Sequence, residues 1–374
     1  MEITVLLLFG LVFLLLYGLL VYYIGWSGWR WMKFRVQTEV SWKIKVIYIA
    51  VLMVVATSFV TGRLFENVIL YFIGSVWMAF FYLLIILLPV VHISVWLLRN
   101  TQLPKEHLDK WPGMIIVGLV FSFIGYGMYN AYSPTVQTYD IHIKKESPAM
   151  EDLNIVMASD MHFGLLFGKE QAKKMVKNIN KLEPDIVLLP GDIVDDQINQ
   201  FINQGIDEAL AEIVAPLGVY VSLGNHDKHN GPIDELIDTL ERGNLRVLYD
   251  EVIPVSENIL LVGRRDRRDA EREEVADLTE GIDLTKTVIL MDHQPYDLDI
   301  AEQQGIDLML SGHTHLGQVF PGRLITKRVY ENDWGYLQKG QMHSVVSSGF
   351  GFWGPPIRIG TRSELVQIDV IFGL

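Results

Sequence analysis

Four long apolar segments without a single Asp, Glu, Lys or Arg fill most of the first 132 residues: 3–24, 46–60, 68–98 and 112–132. A helix that crosses a bilayer needs about 20 apolar residues, and the second segment reaches that length when it is extended to 44–62. Packed as core helices, these segments would leave almost no polar surface for a water-soluble fold. A cleaved signal peptide is disfavoured at 3–24, because Glu2 replaces the basic start and no small-residue cleavage site follows. We therefore predict a transmembrane anchor over residues 1–132, with four spans at about 3–24, 44–62, 68–98 and 112–132.

The basic residues between these segments predict the orientation of the anchor. The first loop holds five and the third holds three, namely Arg30, Lys33, Arg35, Lys43 and Lys45, then Arg99, Lys105 and Lys110. The second loop holds only Arg63, beside Glu66. Because loops rich in Lys and Arg stay in the cytoplasm, we expect the first and third loops to be cytoplasmic. The four spans make the chain a multi-pass protein of the cell membrane. Its partner is then the lipid bilayer, and everything after Tyr132 is extracytoplasmic.

Residues 136–374 form a second domain with a different charge and pattern. After residue 139 the chain carries 22 Lys and Arg against 39 Asp and Glu, a net charge of −17. Such a domain repels phosphate backbones, so we expect no nucleic acid as a partner. Strand-like runs alternate with helical spacing at 169–182, 206–214 and 233–241, which predicts an α/β sheet. We expect 246–248 and 259–262 to belong to a second sheet. We interpret 264–274 as an exposed charged loop, unless Arg264 or Arg265 reaches a substrate phosphate.

Five of the strand-like runs end in metal-ligand residues. Runs 153–158, 185–190, 218–223, 287–291 and 306–310 are followed by Asp160 and His162, by Asp192, by Asn225, by His293, and by His313 and His315. The carboxyl ends of strands in an open α/β sheet are where sites are built. Seven ligands exceed the needs of one transition metal and suit two ions that share a carboxylate. Mixed nitrogen and oxygen donors favour Mn, Fe, Zn or Co over Mg or Ca, and we favour Mn.

These motifs resemble those of the calcineurin-like metallophosphoesterases, in particular a bacterial branch with N-terminal spans. They are Asp160-x-His162, Gly191-Asp192, Gly224-Asn225-His226-Asp227, His293 and Gly312-His313-x-His315. The resemblance implies a four-layer α-β-β-α sandwich. It also implies that one ion takes Asp160, His162, Asp192 and His315, and that the other takes Asp192 (bridging), Asn225, His293 and His313. The Asp-Arg-Gly of the family's protein phosphatases is missing after Gly191, which speaks against protein dephosphorylation.

His226 and Asp227 complete the expected reaction. We expect a hydroxide between the two ions to attack phosphorus, and the leaving alkoxide then needs a proton. His226 follows a ligand without being one, so it suits the role of general acid, and Asp227 is expected to fix its tautomer by a hydrogen bond. The alternative for His226 is a capping or surface histidine.

Taken together, the sequence predicts a membrane-anchored, two-metal phosphohydrolase that cleaves a phosphoester or phosphoanhydride. The multi-span anchor suggests an amphiphilic substrate, either lipid-linked or part of the cell envelope. One alternative is a non-catalytic sensor or scaffold that retains the fold, whose mark would be a missing ligand. Another is a nuclease of the same family, which the charge of −17 disfavours.

Overall fold

The chain divides into two compact units. The computed structural model describes residues 3–36, 40–145, 150–195, 198–229 and 232–373. Met1–Gly127 and Gly354–Pro356 form the first unit, and Met128–Trp353 with Ile357–Leu374 forms the second. The division falls within the fourth long helix, a few residues before the predicted border.

The first unit, called the four-helix unit below, contains α1 Ile3–Val36, α2 Trp42–Leu64, α3 Val68–Leu98 and α4 Lys105–Tyr132. All four helices are long and apolar enough to cross a membrane. Helices α1 and α4 are longer than the predicted spans because a helix satisfies its own backbone hydrogen bonds and so continues through polar residues at its ends. The chain therefore has the four candidate spans that its sequence predicts.

Helices α2 and α3 pack closely because glycines face their contact. A Cβ atom at Gly62 would collide with the backbone of Tyr71, and one at Gly74 would collide with the backbone of Phe59. Small residues of this kind let the backbones of membrane helices approach each other. Replacing either glycine would force these two helices apart.

The second unit has two sheets of six strands each among its described residues. The first sheet has the order β1-β12-β2-β3-β4-β5, with bounds β1 Thr135–Ile143, β2 Asp152–Met157, β3 Ile186–Pro190, β4 Val219–Ser222, β5 Arg246–Val247 and β12 Glu364–Phe372. The second has the order β10-β11-β9-β8-β7-β6, with bounds β6 Glu251–Ser256, β7 Ile259–Gly263, β8 Thr287–Met291, β9 Leu308–Ser311, β10 Gly335–Lys339 and β11 Met342–Val346.

Alternate residues of each strand enter different cores, as the two-residue period of a strand requires. On β2, Ile155 and Met157 lie in the core between the sheets, whereas Val156 lies in the core beneath the helices. On β8, Ile289 lies between the sheets and Val288 lies under the helices of the other side. The result is the four-layer α-β-β-α sandwich that the resemblance implies.

Helices cover both outer faces of the sandwich. The first sheet is covered by α5 Lys169–Asn180, α6 Ile198–Asn203, α7 Ile206–Leu210 and α8 Ile233–Arg242. The second is covered by α9 Val275–Leu278 and α10 Leu298–Gln303. A further helix, α11 Arg323–Val329, has no buried residue.

The structure corrects two expectations about this unit. Residues 246–247 form β5 at the edge of the first sheet, where Arg246 pairs in parallel with Tyr220, rather than in the second sheet. Helix α8 is the crossover that a parallel neighbour requires. The helix expected over 206–214 ends at Leu210.

Candidate metal centre

The loops after β2, β3, β4, β8 and β9 carry all seven expected ligands, and backbone hydrogen bonds join these loops to one another. The amide of Asp160 donates to the carbonyl oxygen of Gly191 at 3.0 Å, and that of His162 donates to the carbonyl oxygen of Asp192 at 3.0 Å. In the second sheet, Gly312 donates to His293 in the same way at 3.0 Å. The two sheets thus bring their strand-end loops to one edge of the sandwich.

Five of these ligands have left-handed backbone conformations. The φ angles are positive at every one, with values of 50°, 49°, 55°, 70° and 48° at Asp160, His162, Asp192, His313 and His315. Such conformations cost about 1–3 kcal/mol each and cluster at functional sites, where the surrounding fold imposes them. Asp and His tolerate them better than most residues. Positive φ thus occurs at five of the seven expected ligands, although seven other non-glycine residues of the described chain also have it.

The ligand atoms gather in two clusters. Asp160, His162 and His315 form one, and Asp192, His293 and His313 form the other, with the ligand atoms of each cluster within 4.8 Å of one another. They hold six of the seven residues that the resemblance divides between two ions, and a third group within the same distance is His162, Asp195 and His226. In the first, His315 Nε2 lies 3.1 Å from His162 Nε2 and 3.4 Å from Asp160 Oδ1.

Asp192 lies between the two clusters. Its Oδ2 is 3.1 Å from His293 Nε2 and 3.7 Å from His162 Nε2, so one oxygen faces both. Its Oδ1 accepts a hydrogen bond from the backbone amide of His226 at 2.8 Å. Gly224 makes room for this carboxylate, because a Cβ at that position would collide with Asp192 Oδ1. The geometry fits a shared ligand.

Asn225 is held by a residue that the sequence reasoning missed. Its buried side-chain oxygen accepts a hydrogen bond from Gln294 Nε2 at 3.3 Å, and the same nitrogen donates to Asp266 Oδ2 at 2.5 Å. Gln294 directly follows His293 in the sequence. Its position next to a ligand is the one signal that could have identified it.

The electrostatics of the centre fit a divalent cation. His293 Nε2 is buried and has no hydrogen-bond partner among the described residues, although a carboxylate oxygen of Asp192 is close. Burial opposes its protonation, but the carboxylates of Asp192 and Asp160 outweigh that effect and raise the pKa of His293 to about 10. Burial holds the pKa of His313 at about 3, which leaves a neutral imidazole. Buried carboxylates that draw a proton onto an imidazole in this way form a site for positive charge, and the mixed donors suit a transition metal.

His226 lies beside the first cluster, with its side chain about one quarter exposed. Its Nδ1 is 3.6 Å from Asp195 Oδ1, and the same oxygen is 3.3 Å from His162 Nδ1. Burial lowers the pKa of His226, while the carboxylates of Asp192 and Asp195 oppose that effect. The ring of Trp353 is 5.6 Å from the ring of His226, measured between centroids.

Asp227 has a different task from the one expected. Its two oxygens accept hydrogen bonds from four backbone amides, all at 2.8–2.9 Å: Asp192, Ile193, Val194 and Gly224. These bonds tie the loop after β3 to the loop after β4. The carboxylate beside the imidazole of His226 is that of Asp195, so the expectation that Asp227 fixes its tautomer is wrong. Asp227 follows His226 directly in the chain, whereas Asp195 lies in the loop after β3. The sequence therefore does not show which of the two carboxylates lies beside the imidazole.

Two buried arginines support the loops, a role that the sequence analysis assigns to neither of them. Arg264 is only 2% exposed and donates to Asp292 Oδ2 at 3.0 Å, so the charge run 264–274 is not exposed at its start. Arg358 is fully buried, donates to the carbonyl oxygens of Ser348 and Gly351, and has Nη2 3.3 Å from His315 Nδ1. Arg265 is paired with Asp250 and Glu271. These ion pairs leave neither Arg264 nor Arg265 directed at a substrate phosphate.

Comparison with known proteins agrees with this geometry. The family model described as calcineurin-like phosphoesterase matches residues 153–317. An uncharacterized metallophosphoesterase of Helicobacter pylori is 31% identical over 265 residues, covering 68% of this chain and 70% of that protein. One of Aquifex aeolicus is 32% identical, covering 66% of this chain and 95% of its own length. A Danio rerio transmembrane protein with a metallophosphoesterase domain is 30% identical over 65% of this chain, but only 59% of its own length is matched.

Proposed function

We propose that this chain, which belongs to the calcineurin-like phosphoesterase family and is a metal-dependent phosphoester hydrolase, cleaves a phosphoester or phosphoanhydride of an amphiphilic substrate at a two-metal centre. The observation that carries the proposal is the position of Asp192, whose Oδ2 faces both ligand clusters at 3.1 and 3.7 Å. A lipid-linked or cell-envelope substrate fits the second unit, called the catalytic unit from here on, because it follows four candidate membrane spans.

The chain's residues divide the work of hydrolysis. Asp160, His162 and His315 would hold one ion and Asn225, His293 and His313 the other, with Asp192 shared. When bound, such an ion pair activates water and neutralises charge on the phosphoryl group, for which Mn, Fe, Zn or Co would serve. His226 would donate the proton that the leaving oxygen needs. Asp195, beside its Nδ1, would stabilise the protonated imidazole.

Trp353 supports an apolar leaving group. Its side chain is 48% exposed although it lies next to His226. Two hydrogen bonds hold its backbone: Trp353 donates to Gln318 Oε1 at 2.9 Å, and Gln318 Nε2 donates to the carbonyl oxygen of Trp353 at 2.9 Å. An exposed indole fixed beside the proton donor offers an apolar surface to the part of the substrate that leaves.

A panel of leaving groups tests the proposal. The full chain in detergent with Mn²⁺ is assayed against methyl, long-chain alkyl and p-nitrophenyl phosphate and against bis(p-nitrophenyl) phosphate. We expect Trp353→Ala to raise KM for the long-chain and aryl esters and to leave the methyl ester unchanged. Ile325→Ala removes an apolar side chain of α11 that is even more exposed, at 67%, and should have no effect. Absence of hydrolysis with Mn, Fe, Zn and Co would overturn the function. An equal effect of Trp353→Ala on all esters would overturn the amphiphilic substrate alone.

The catalytic unit is placed outside the cytoplasm in this proposal. The first and third loops carry eight Lys and Arg, whereas the second carries one, and this bias favours loops one and three in the cytoplasm. With four spans, residues after Tyr132 then lie outside. Protease added to right-side-out vesicles should digest the catalytic unit and spare the first loop. Digestion only after the membrane is opened would overturn the placement without affecting the metal chemistry.

A further inference from the structure

The four-helix unit contains a cavity of about 790 Å³ that is separate from the metal centre. All four helices line it, near the ends joined by the first and third loops. On α4 the lining residues run from Leu108 to Val117, several turns before that helix ends at Tyr132. Its volume is in the range of binding sites for ligands of a few dozen atoms.

The walls of this cavity combine aromatic side chains with charged side chains at the helix ends. Trp31, Trp77, Trp96 and Tyr48 supply apolar and amphipathic surface. Two arginines and one aspartate also line it, and Arg99 is paired with Asp109. Because that pair is neutral, Arg30 gives the cavity wall one net positive charge. Its guanidinium lies 5.5 Å from the centre of the Trp26 ring. In membrane proteins, tryptophan and arginine gather at the membrane interface, which is where the phosphates of lipids lie.

Ser27 gives an independent reason to expect a ligand in this cavity. It lines the cavity and is only 8% exposed. Its Oγ has no hydrogen-bond partner within the part of the chain that the structure describes. Buried hydroxyls are almost always hydrogen-bonded, so an acceptor supplied by a ligand would satisfy this one.

We propose that this cavity binds a lipid with an anionic phosphate headgroup. Its phosphate would lie near Arg30 and accept a hydrogen bond from Ser27, and its chains would lie among the aromatic side chains. A lipid is the occupant because the outer faces of these helices are apolar and exposed, as with Leu19 at 64% exposure. The site goes beyond the proposed catalytic function and does not rest on it.

Retention of defined lipids by the full chain tests this site. The protein is purified from nanodiscs that contain phosphatidylglycerol or phosphatidylcholine, and the lipid that it keeps is measured by native mass spectrometry. We expect wild type to retain phosphatidylglycerol and not phosphatidylcholine. Arg30→Gln should lower that retention about fivefold, since one basic residue near the membrane surface is worth about 1 kcal/mol. Ser27→Leu should also lower it, because it removes the hydroxyl and places a larger apolar side chain in the cavity wall.

Arg63→Gln is the matched control, since it removes the same charge from the last turn of α2, outside the cavity lining. It should leave retention unchanged, and excess inorganic phosphate should displace nothing. Circular dichroism and hydrolysis of p-nitrophenyl phosphate show whether each variant has folded. Equal retention of the two lipids by wild type, or equal retention by Arg30→Gln and Arg63→Gln, would overturn the site. Displacement by inorganic phosphate would show an anion site without a lipid, which also overturns it.

Discussion

The two units use apolar residues in opposite ways. In the catalytic unit, Leu188 and Leu189 of β3 are 0% exposed because a sheet and a helix layer cover them. In the four-helix unit, Phe13 and Leu14 of α1 are 69% and 65% exposed, on a helix that is long and apolar enough to cross a membrane. Apolar content alone therefore identifies neither the surroundings of a segment nor its chemistry. The chemistry follows buried polar groups such as Asp160, which is 0% exposed at a strand end.

Asp192→Asn should have the largest effect, and it should be confined to the catalytic unit. Loss of the shared carboxylate weakens both ion sites at once, so we expect turnover to be abolished and bound metal to fall from two ions per chain toward one. Elemental analysis and phosphoester hydrolysis measure this. The helical content of the four-helix unit should remain unchanged. A variant with full activity and two bound ions would refute the centre.

His226→Ala should leave both ions bound and slow hydrolysis by about 10²–10⁴-fold, the usual contribution of a general acid. Good leaving groups need no proton, so the loss should be smaller for p-nitrophenyl phosphate than for an alkyl phosphate. Comparison of kcat for the two esters tests this. A loss of equal size for both would show that His226 is not the acid.

Asp195→Ala should have a smaller effect, because Asp195 acts through its neighbours. Its Oδ1 lies 3.3 Å from His162 Nδ1 and 3.6 Å from His226 Nδ1. Removal of a carboxylate that orients a metal-binding histidine costs about 10–100-fold in metal affinity or activity. We expect weaker metal binding together with a shifted pH profile of kcat. Asp185→Ala, which removes an aspartate at the opposite end of β3, is the control. Unchanged metal affinity and an unchanged profile would leave Asp195 without a role.

Metal binding should release protons from the catalytic unit. The pKa of His293 is raised to about 10 in the metal-free centre, so its imidazole is protonated at neutral pH and must lose that proton to bind an ion. Metal affinity should therefore rise with pH, up to about tenfold per pH unit for each proton released. In the metal-free protein, the free energy of unfolding changes with pH in the opposite direction to metal affinity. Protonated His293 stabilises the fold fully below its unfolded pKa, and this stability is lost as pH rises through about 10. Calorimetry of Mn²⁺ binding in two buffers of different ionisation enthalpy counts the protons. Heats that do not depend on the buffer would contradict this.

Local patterns predicted the spans and the ligands because each is encoded in a short stretch. Charge-free runs mark the helices, and a polar residue after a buried strand marks each ligand. The supporting contacts join residues far apart in the chain, such as Arg358 with His315 and Gln318 with Trp353. No short pattern encodes such pairs. For the same reason the sequence favours Asp227, which follows His226 in the chain, over Asp195, which lies beside the His226 ring in the fold.

Metal content measured together with activity is the most direct test of the shared two-metal centre. The full chain is stripped of metal with a chelator and then titrated with Mn²⁺ while hydrolysis of p-nitrophenyl phosphate is followed. We predict that chelation abolishes hydrolysis and that activity returns in proportion to the filling of two sites per chain. Full activity in the stripped protein, or activity complete with a single ion bound, would contradict the account.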